Sequence, residues 1–201
     1  METEIEAKFL DIDKEEIRKK LREIGAELVH EERLMKSKVY EHPTEKQNDW
    51  FRVRDEGDKI TLSYKQLLDR TLHGTKEIDV VVNDFDKACS ILEKSKLKFV
   101  TNQEKRREKW QLSKTEIVID TWPWIPTFIE IEAPTENEVK SAAEKLGFDW
   151  NKAEHGSVET VYMKHFDVTE EEVDDWSDMT FTPVPEWLEK KRRANPQKSL
   201  S

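Results

Sequence analysis

Several short stretches of this chain alternate between apolar and charged side chains, and the charged positions are sorted by sign. Glu4 and Glu6, Glu77 and Asp79, Asp120, and Glu130 and Glu132 form an acidic set. Lys8, Arg52 and Arg54, Lys65, and Lys105 and Arg107 form a basic set. A period of two identifies β-strands and puts the charges of each strand on one face, with apolar residues on the other. An ordinary half-buried sheet turns its charged face to water and has no reason to segregate signs by strand. If the strands roll up with the charged face inward, that face lines a hollow. Such a hollow must hold water and ligand, because unpaired buried charge is very costly. The apolar faces then point outward and need cover from helices.

The rest of the chain supplies those helices. Ile5, Ala7 and Phe9 oppose the charges of residues 3–10. Asp13, with Glu16 three residues on, has the pattern of a capping box. The helix it starts carries Ile17, Leu21 and Ile24 on one stripe and stops at Gly25. A strand is predicted around Leu34–Tyr40, and His42-Pro43 begins a polar loop. Strands at 50–54 and 60–65 are joined by a turn at Glu56-Gly57-Asp58. After a loop at Arg70–Thr75 comes a strand over 77–82, then a helix from Asp84 to about Leu97 with Ala88, Ile91 and Leu92 inward. Strands follow at 104–112, 115–121 and 127–133, then a helix from Glu136 to Leu146 ended by Gly147, and a short helix at Ser157–His165. Placing residue 77 over residue 4 aligns Glu-Ile-Glu with Glu-Ile-Asp and Asp13-Lys14 with Asp86-Lys87, which reads as two βαβ-like halves.

Composition narrows the chemistry. The chain has 201 residues and a formal charge of −10, so its overall field does not draw in polyanions. An anionic ligand must be attracted by a local cluster of Lys and Arg. The single cysteine, Cys89, excludes an internal disulfide or a cysteine-based zinc site and is read as core. The start, Met1-Glu2-Thr3-Glu4, is no signal peptide, and no apolar run approaches the ~18 residues of a membrane span. A soluble, cytoplasmic protein without membrane partners is expected. Beyond residue 167 the character changes: acidic Glu170–Glu172 and Asp174–Asp175, then Pro183 and Pro185, then the basic run Lys190–Arg193. That segment reads as a solvated tail with a short helix; in the alternative reading Trp176, Phe181 and Trp187 dock it on the sheet. The basic run alone is a weak sign of nucleic acid, which is not the expected ligand.

Carboxylates two residues apart are oxygen ligands suited to Mg²⁺ or Mn²⁺, and Lys and Arg suit phosphate oxygens. Each pair alone is commonplace on exposed strands; together they point to a metal–polyphosphate site. Glu4-Ile5-Glu6-Ala7-Lys8 matches the ExExK motif of the CYTH superfamily, the triphosphate tunnel metalloenzymes. Arg52-Val53-Arg54, Lys65, Glu77-Ile78-Asp79, Lys105-Arg106-Arg107, Asp120 and Phe128-Ile129-Glu130-Ile131-Glu132 resemble that family's later elements in order. The resemblance covers roughly residues 2–166 and is nearest the bacterial class IV adenylyl cyclase-like branch. His42-Pro43 departs from it, since relatives often carry an acidic residue near the tyrosine.

The resemblance implies an α+β fold: a closed eight-stranded antiparallel β-barrel, open at both ends as a tunnel, with helices packed outside. It implies a tunnel domain over 1–166 and a C-terminal tail over 167–201. Glu4, Glu6, Asp120, Glu130 and Glu132 would hold Mg²⁺ or Mn²⁺, with Glu77 or Asp79 completing the shell. Lys8, Arg52, Arg54, Lys65, Lys105 and Arg107 would grip the substrate. Glu4, Glu6, Lys8, Glu130 and Glu132 would be catalytic. The partner is then a small triphosphate (nucleoside, thiamine or inorganic), either cyclised to cyclic AMP and pyrophosphate or hydrolysed. A non-catalytic polyphosphate-binding module and an RNA 5′-triphosphatase remain as alternatives, and a homodimer is compatible with the sequence.

Overall fold

The computed structural model describes residues 2–42, 48–69 and 71–194. Two strands, β1 (Glu2–Glu4) and β2 (Glu6–Phe9), lead into helix α1 (Lys14–Glu23). β3 (Glu27–Glu41), β4 (Asp49–Asp55), β5 (Ile60–Leu67) and β6 (Thr75–Val82) follow, then α2 (Phe85–Lys94). β7 (Lys98–Leu112), β8 (Thr115–Thr121) and β9 (Phe128–Glu132) lead to α3 (Glu136–Lys145) and α4 (Val158–His165). The chain ends with α5 (Glu170–Asp174), the two-residue β10 (Asp178–Met179) and α6 (Glu186–Glu189).

Local chemistry sets the helix boundaries. Asp13 accepts from the Glu16 amide at 2.9 Å, and Asp84 accepts from the Lys87 amide at 2.9 Å. Only half of the expected capping box forms at Asp13, because the Glu16 carboxylate turns along the helix to Lys20 at 2.8 Å. The sequence repeat holds for the two strand–helix units, but the true caps, Asp13 and Asp84, are not the residues it aligns. Gly25 and Gly147 take φ of +79° and +82° just beyond α1 and α3, a backbone region that favours glycine.

All strands but the last join in one antiparallel path, β1-β6-β5-β4-β3-β7-β8-β9-β2. The end strands of that path are successive segments of the N-terminal stretch, parted only by Ile5. Glu2 pairs with Glu77 on β6, whereas Glu6 pairs with Glu132 on β9. The stretch changes partner at Ile5, whose carbonyl accepts from the Ala133 amide at 3.2 Å. The fold is α+β with one large antiparallel sheet, which among the described residues has ten strands where eight were expected, and no hydrogen-bonded ladder joins its end strands β1 and β2. The tenth, β10, pairs parallel with Asn102–Gln103 of β7.

Three apolar cores lie outside the charged face. The largest packs Ile17 and Leu21 of α1 and Val139, Ala142 and Ala143 of α3 over Ala7, Ile117, Ile119, Ile129 and Ile131. A second places Ala88, Cys89 and Leu92 of α2 over Tyr40 and Val53. Ile91, expected inward, is 64% exposed, because the buried stripe of α2 runs through Ala88, Cys89 and Leu92 instead. The third core joins α4 to the C-terminal segment through Tyr162, Phe166, Val173, Trp176, Met179 and Leu188. The described part of the C-terminal segment, residues 168–194, is thus packed against α4 and is not a solvated tail. Trp176 is buried and Phe181 rests under Arg106, but Trp187 is 49% exposed. Helical cover is incomplete elsewhere: Ile78 and Val80 on β6 are 47% and 50% exposed. No helix among the described residues is long and apolar enough to cross a membrane.

Candidate functional site

The charged faces of the strands line one cavity of about 1330 Å³. It contains all the residues singled out by the alternation: Glu4, Glu6, Lys8, Arg52, Arg54, Lys65, Glu77, Asp79, Lys105, Arg107, Asp120, Glu130 and Glu132. Register explains the convergence. Arg52 lies opposite Ser63, and Ser63 opposite Asp79; Lys65 lies opposite Glu77; Arg107 opposite Asp120; Lys8 opposite Glu130. Opposed positions on neighbouring strands share a face, so a consistent alternation on every strand puts all of these groups into one hollow.

Most of these charges are matched. The Lys8 ammonium reaches Glu6 at 2.5 Å, Glu130 at 3.1 Å and the Gly156 carbonyl at 2.7 Å. Burial disfavours that ammonium, but Glu130 and Glu6 more than offset it and hold its pKa above the ordinary value. Arg107 forks onto Asp120 at 2.7 and 2.6 Å and reaches Glu130 at 3.2 Å. Burial pushes Asp120 and Glu130 up, yet the cations around them win: Arg107 and Lys105 hold Asp120 below the usual range, and Lys8, Arg107 and Lys105 do so for Glu130. Lys65 bridges Glu4 at 3.0 Å and Glu77 at 3.3 Å, and Arg52 meets Glu77 at 3.1 Å.

Two places are not matched, and they have opposite signs. Arg54 is 8% exposed, and among the described residues its guanidinium donates only to the Ser37 hydroxyl, at 3.3 Å. No carboxylate among the described residues pairs with it. Burial, then the charges of Arg52 and Arg107, push it down to about 9. Lys105, fully inside the same wall, touches Asp120 at 3.1 Å and is held well below its ordinary value by burial and by Arg107. This corner carries more positive charge than its carboxylates neutralise.

The negative counterpart lies on the strands β2, β9 and β8. Glu132 is opposed across one ladder by Glu6 and across the other by Glu116. Like charges placed opposite one another destabilise a sheet. Burial, then Glu6, Glu130 and Glu116, raise Glu132 to about 7. Burial, with Glu77 beside it, raises Glu4 to about 8 against the pull of Lys65, and its Oε2 is buried with no hydrogen-bond partner. No three His, Cys, Asp or Glu side chains among the described residues stand ready-grouped as a metal site. The donor chemistry nonetheless fits a hard cation: crowded carboxylate oxygens, one of them orphaned, with Glu4 and Glu132 raised by burial and by neighbouring carboxylates.

Sequence reasoning missed several contributors. Ser37 and Ser63 support Arg54 and Arg52, the latter at 3.4 Å, and Ser63 also donates to Asp79. Glu116 was legible, since it sits two residues before Val118 and four before Asp120 on the same face. Trp122 lies 5.6 Å below the Lys105 ammonium. Nothing in the sequence pointed to the Gly156 carbonyl, or to Glu171 and Asp175 of the C-terminal segment, which also line the hollow.

A family model described as the CYTH domain matches residues 2–161. Among solved structures, the PH1819 protein of Pyrococcus horikoshii is 27% identical, with a TM-score of 0.62 over 80% of this chain and 98% of that one. A Vibrio parahaemolyticus protein provisionally called an adenylate cyclase is 15% identical, with a TM-score of 0.69 over 81% of this chain and 98% of that one. HpAC1 from Hippeastrum, described as having a dominant triphosphatase activity, is 16% identical, with a TM-score of 0.52 over 77% and 91%. No curated protein matches. At 15% and 16% identity the latter two likenesses bear on the fold alone.

Proposed function

The chain belongs to the CYTH domain family, and from that premise we propose that it is a metal-dependent enzyme that cleaves a triphosphate held in the charged hollow. The observation that carries this reading is Arg54, a buried guanidinium with no carboxylate of its own, beside the similarly depressed Lys105. A polyphosphate oxygen supplies the missing partner for both. We take the sheet to act as a closed tunnel around that ligand, with Ile5 as the seam between β1 and β2.

On this reading Arg52, Arg54, Lys65, Lys105 and Arg107 bind and orient the phosphate chain, and Lys8 is fixed by Gly156 and its two carboxylates to do the same. Glu4, Glu6, Glu130 and Glu132, with Asp120, would hold a divalent cation, Mg²⁺ or Mn²⁺. When bound, that cation would neutralise charge developing on the phosphate oxygens. Glu132, raised to about 7, holds a proton part of the time near neutrality and would release it if it served as a cation ligand. The chain's main contribution is position and electrostatic complementarity, because phosphoryl transfer asks little covalent help of a protein.

We favour water as the attacking group, giving hydrolysis, because the ring beside the interior cations, Trp122 under Lys105, is only 7% exposed and offers no open face there. Trp50 and the 37% exposed Phe99, which also line the hollow, are the faces on which a base would have to stack in the competing outcome. Attack by a ribose hydroxyl, giving cyclic AMP and pyrophosphate, is the competing outcome. The test is to incubate the protein with ATP, thiamine triphosphate and inorganic triphosphate, under Mg²⁺ and then Mn²⁺, and identify the products. Orthophosphate is expected, and Glu130→Ala with Glu132→Ala should abolish its release in a folded protein. Metal-dependent turnover retained in that double variant would refute the assignment.

A further inference from the structure

The family match ends at residue 161, yet the chain continues as a packed structure to residue 193. Val173, Met179 and Leu188 are 2%, 1% and 0% exposed. Trp176 meets Tyr162 edge-on at 5.2 Å, and the Trp124 indole donates to the Thr182 carbonyl at 2.9 Å. The segment returns to its start, where the Asp167 amide donates to the Lys191 carbonyl at 2.7 Å. It is therefore anchored at several points along its length.

Its position is set by β10, which pairs with Asn102–Gln103 of β7. Farther along β7, Arg107 lies opposite Arg33, and Lys109 opposite His30. Six residues of strand separate Gln103 from Lys109, about 20 Å. The hollow thus has two poles. One is fronted by α5, whose Glu171 and Asp174, with Asp175 just beyond, line the hollow. The other carries Arg33, Lys59 and Lys109 on the same lining. There Arg33 meets Asp58 at 2.9 Å and Lys59 meets Glu56 at 3.7 Å, so that pole mixes both signs.

We propose that the 167–193 segment is a charged stopper that makes the hollow single-ended for polyanions. Resting on the triphosphate reading above, it confines phosphate chains to the Arg33–Lys59–Lys109 pole and denies passage past α5. Glu171 and Asp175 are exposed carboxylates on the lining, and their field reaches over roughly a Debye length, about 8 Å at physiological salt, into the opening beside them. A short triphosphate fits within the hollow and never meets them. A chain longer than the hollow has to thread past them or stay outside. The segment thereby sets an upper length on the substrate.

The test compares equilibrium binding of inorganic tripolyphosphate and of long-chain polyphosphate by the full chain. Glu171→Lys with Asp175→Lys reverses charge at the stopper without touching the Glu172 cap or the interior cations. Glu23→Lys with Glu144→Lys, on exposed faces of α1 and α3 away from the hollow, controls for overall charge. The stopper variant should bind long-chain polyphosphate about tenfold more tightly than the control, with tripolyphosphate affinity within about twofold of it. The neutral pair Glu171→Gln with Asp175→Asn should move the same way by less, and guards against a folding defect in the reversal. Stopper variants that match the remote control for both ligands would overturn the proposal while leaving the triphosphate reading intact. Failure of every form to bind tripolyphosphate would overturn both.

Discussion

Replacing Arg54 with Met should make the ligand-free protein more stable and the liganded protein much weaker. The guanidinium is buried, lacks a carboxylate and is pushed down to about 9. A depression of that size from the ordinary arginine value is worth roughly 5 kcal/mol at about 1.4 kcal/mol per pH unit. Water in the hollow screens part of it, leaving about 2 kcal/mol. Met fills a similar volume, and the 3.3 Å bond to Ser37 that is lost is worth about 1 kcal/mol at most. The net expectation is a gain of about 1 kcal/mol, or about 2–4 °C in thermal midpoint for a chain of this size. The same substitution removes a charge-assisted bond to phosphate, worth about 1.5–3 kcal/mol, so tripolyphosphate affinity should fall about 10- to 150-fold. Thermal unfolding with and without tripolyphosphate, together with titration calorimetry, reads both effects. A variant less stable than wild type by 1 kcal/mol or so, with unchanged affinity, would refute the idea that this cation is held ready for an anion.

The acidic row makes a second prediction. A carboxyl whose folded pKa lies above its unfolded value adds stability that is complete below the unfolded value and is lost as the pH rises through the folded one. For Glu132 that window runs from the usual carboxylate range up to about 7. Urea midpoints of the metal-free protein should fall across it, and Glu132→Gln should flatten the fall by about 1–2 kcal/mol after allowance for screening; an identical slope in the variant would remove Glu132 as the cause. A third concerns the C-terminal segment. Leu188→Ala deletes a fully buried side chain at the α4 contact and should cost about 2–5 kcal/mol by thermal or urea unfolding, whereas a loss under about 0.5 kcal/mol would mean the segment is only loosely attached.

The strands that were easiest to see in the sequence are those whose period of two is unbroken, such as Arg52–Arg54 and Phe128–Glu132. β3 and β7 are each longer than their patterns suggested. Register shifts between Leu28 and His30, and again between His30 and Arg33, break the alternation at the start of β3. On α2 Cys89 and Ile91 both suit a core in sequence, and only tertiary packing leaves Ile91 outside it. The interior charges could be named from sequence because alternation fixes a face. Their pairing could not, because register decides that Arg107 receives Asp120 while Arg54 receives only a hydroxyl. The C-terminal segment was the least legible part. Its burial depends on Val173, Met179 and Leu188, which follow no common period, and the more conspicuous Trp187 stays half exposed.

The partner change at Ile5 has a consequence for biogenesis. During synthesis the β1–β2 stretch finds one neighbour about 75 residues later, at Glu77, and the other about 126 residues later, at Glu132. At about 5–20 residues per second, β2 stays without its β9 ladder for roughly 6–25 s of synthesis. Such non-local pairing slows folding, and it leaves an unpaired strand edge that invites association between nascent chains until β9 arrives.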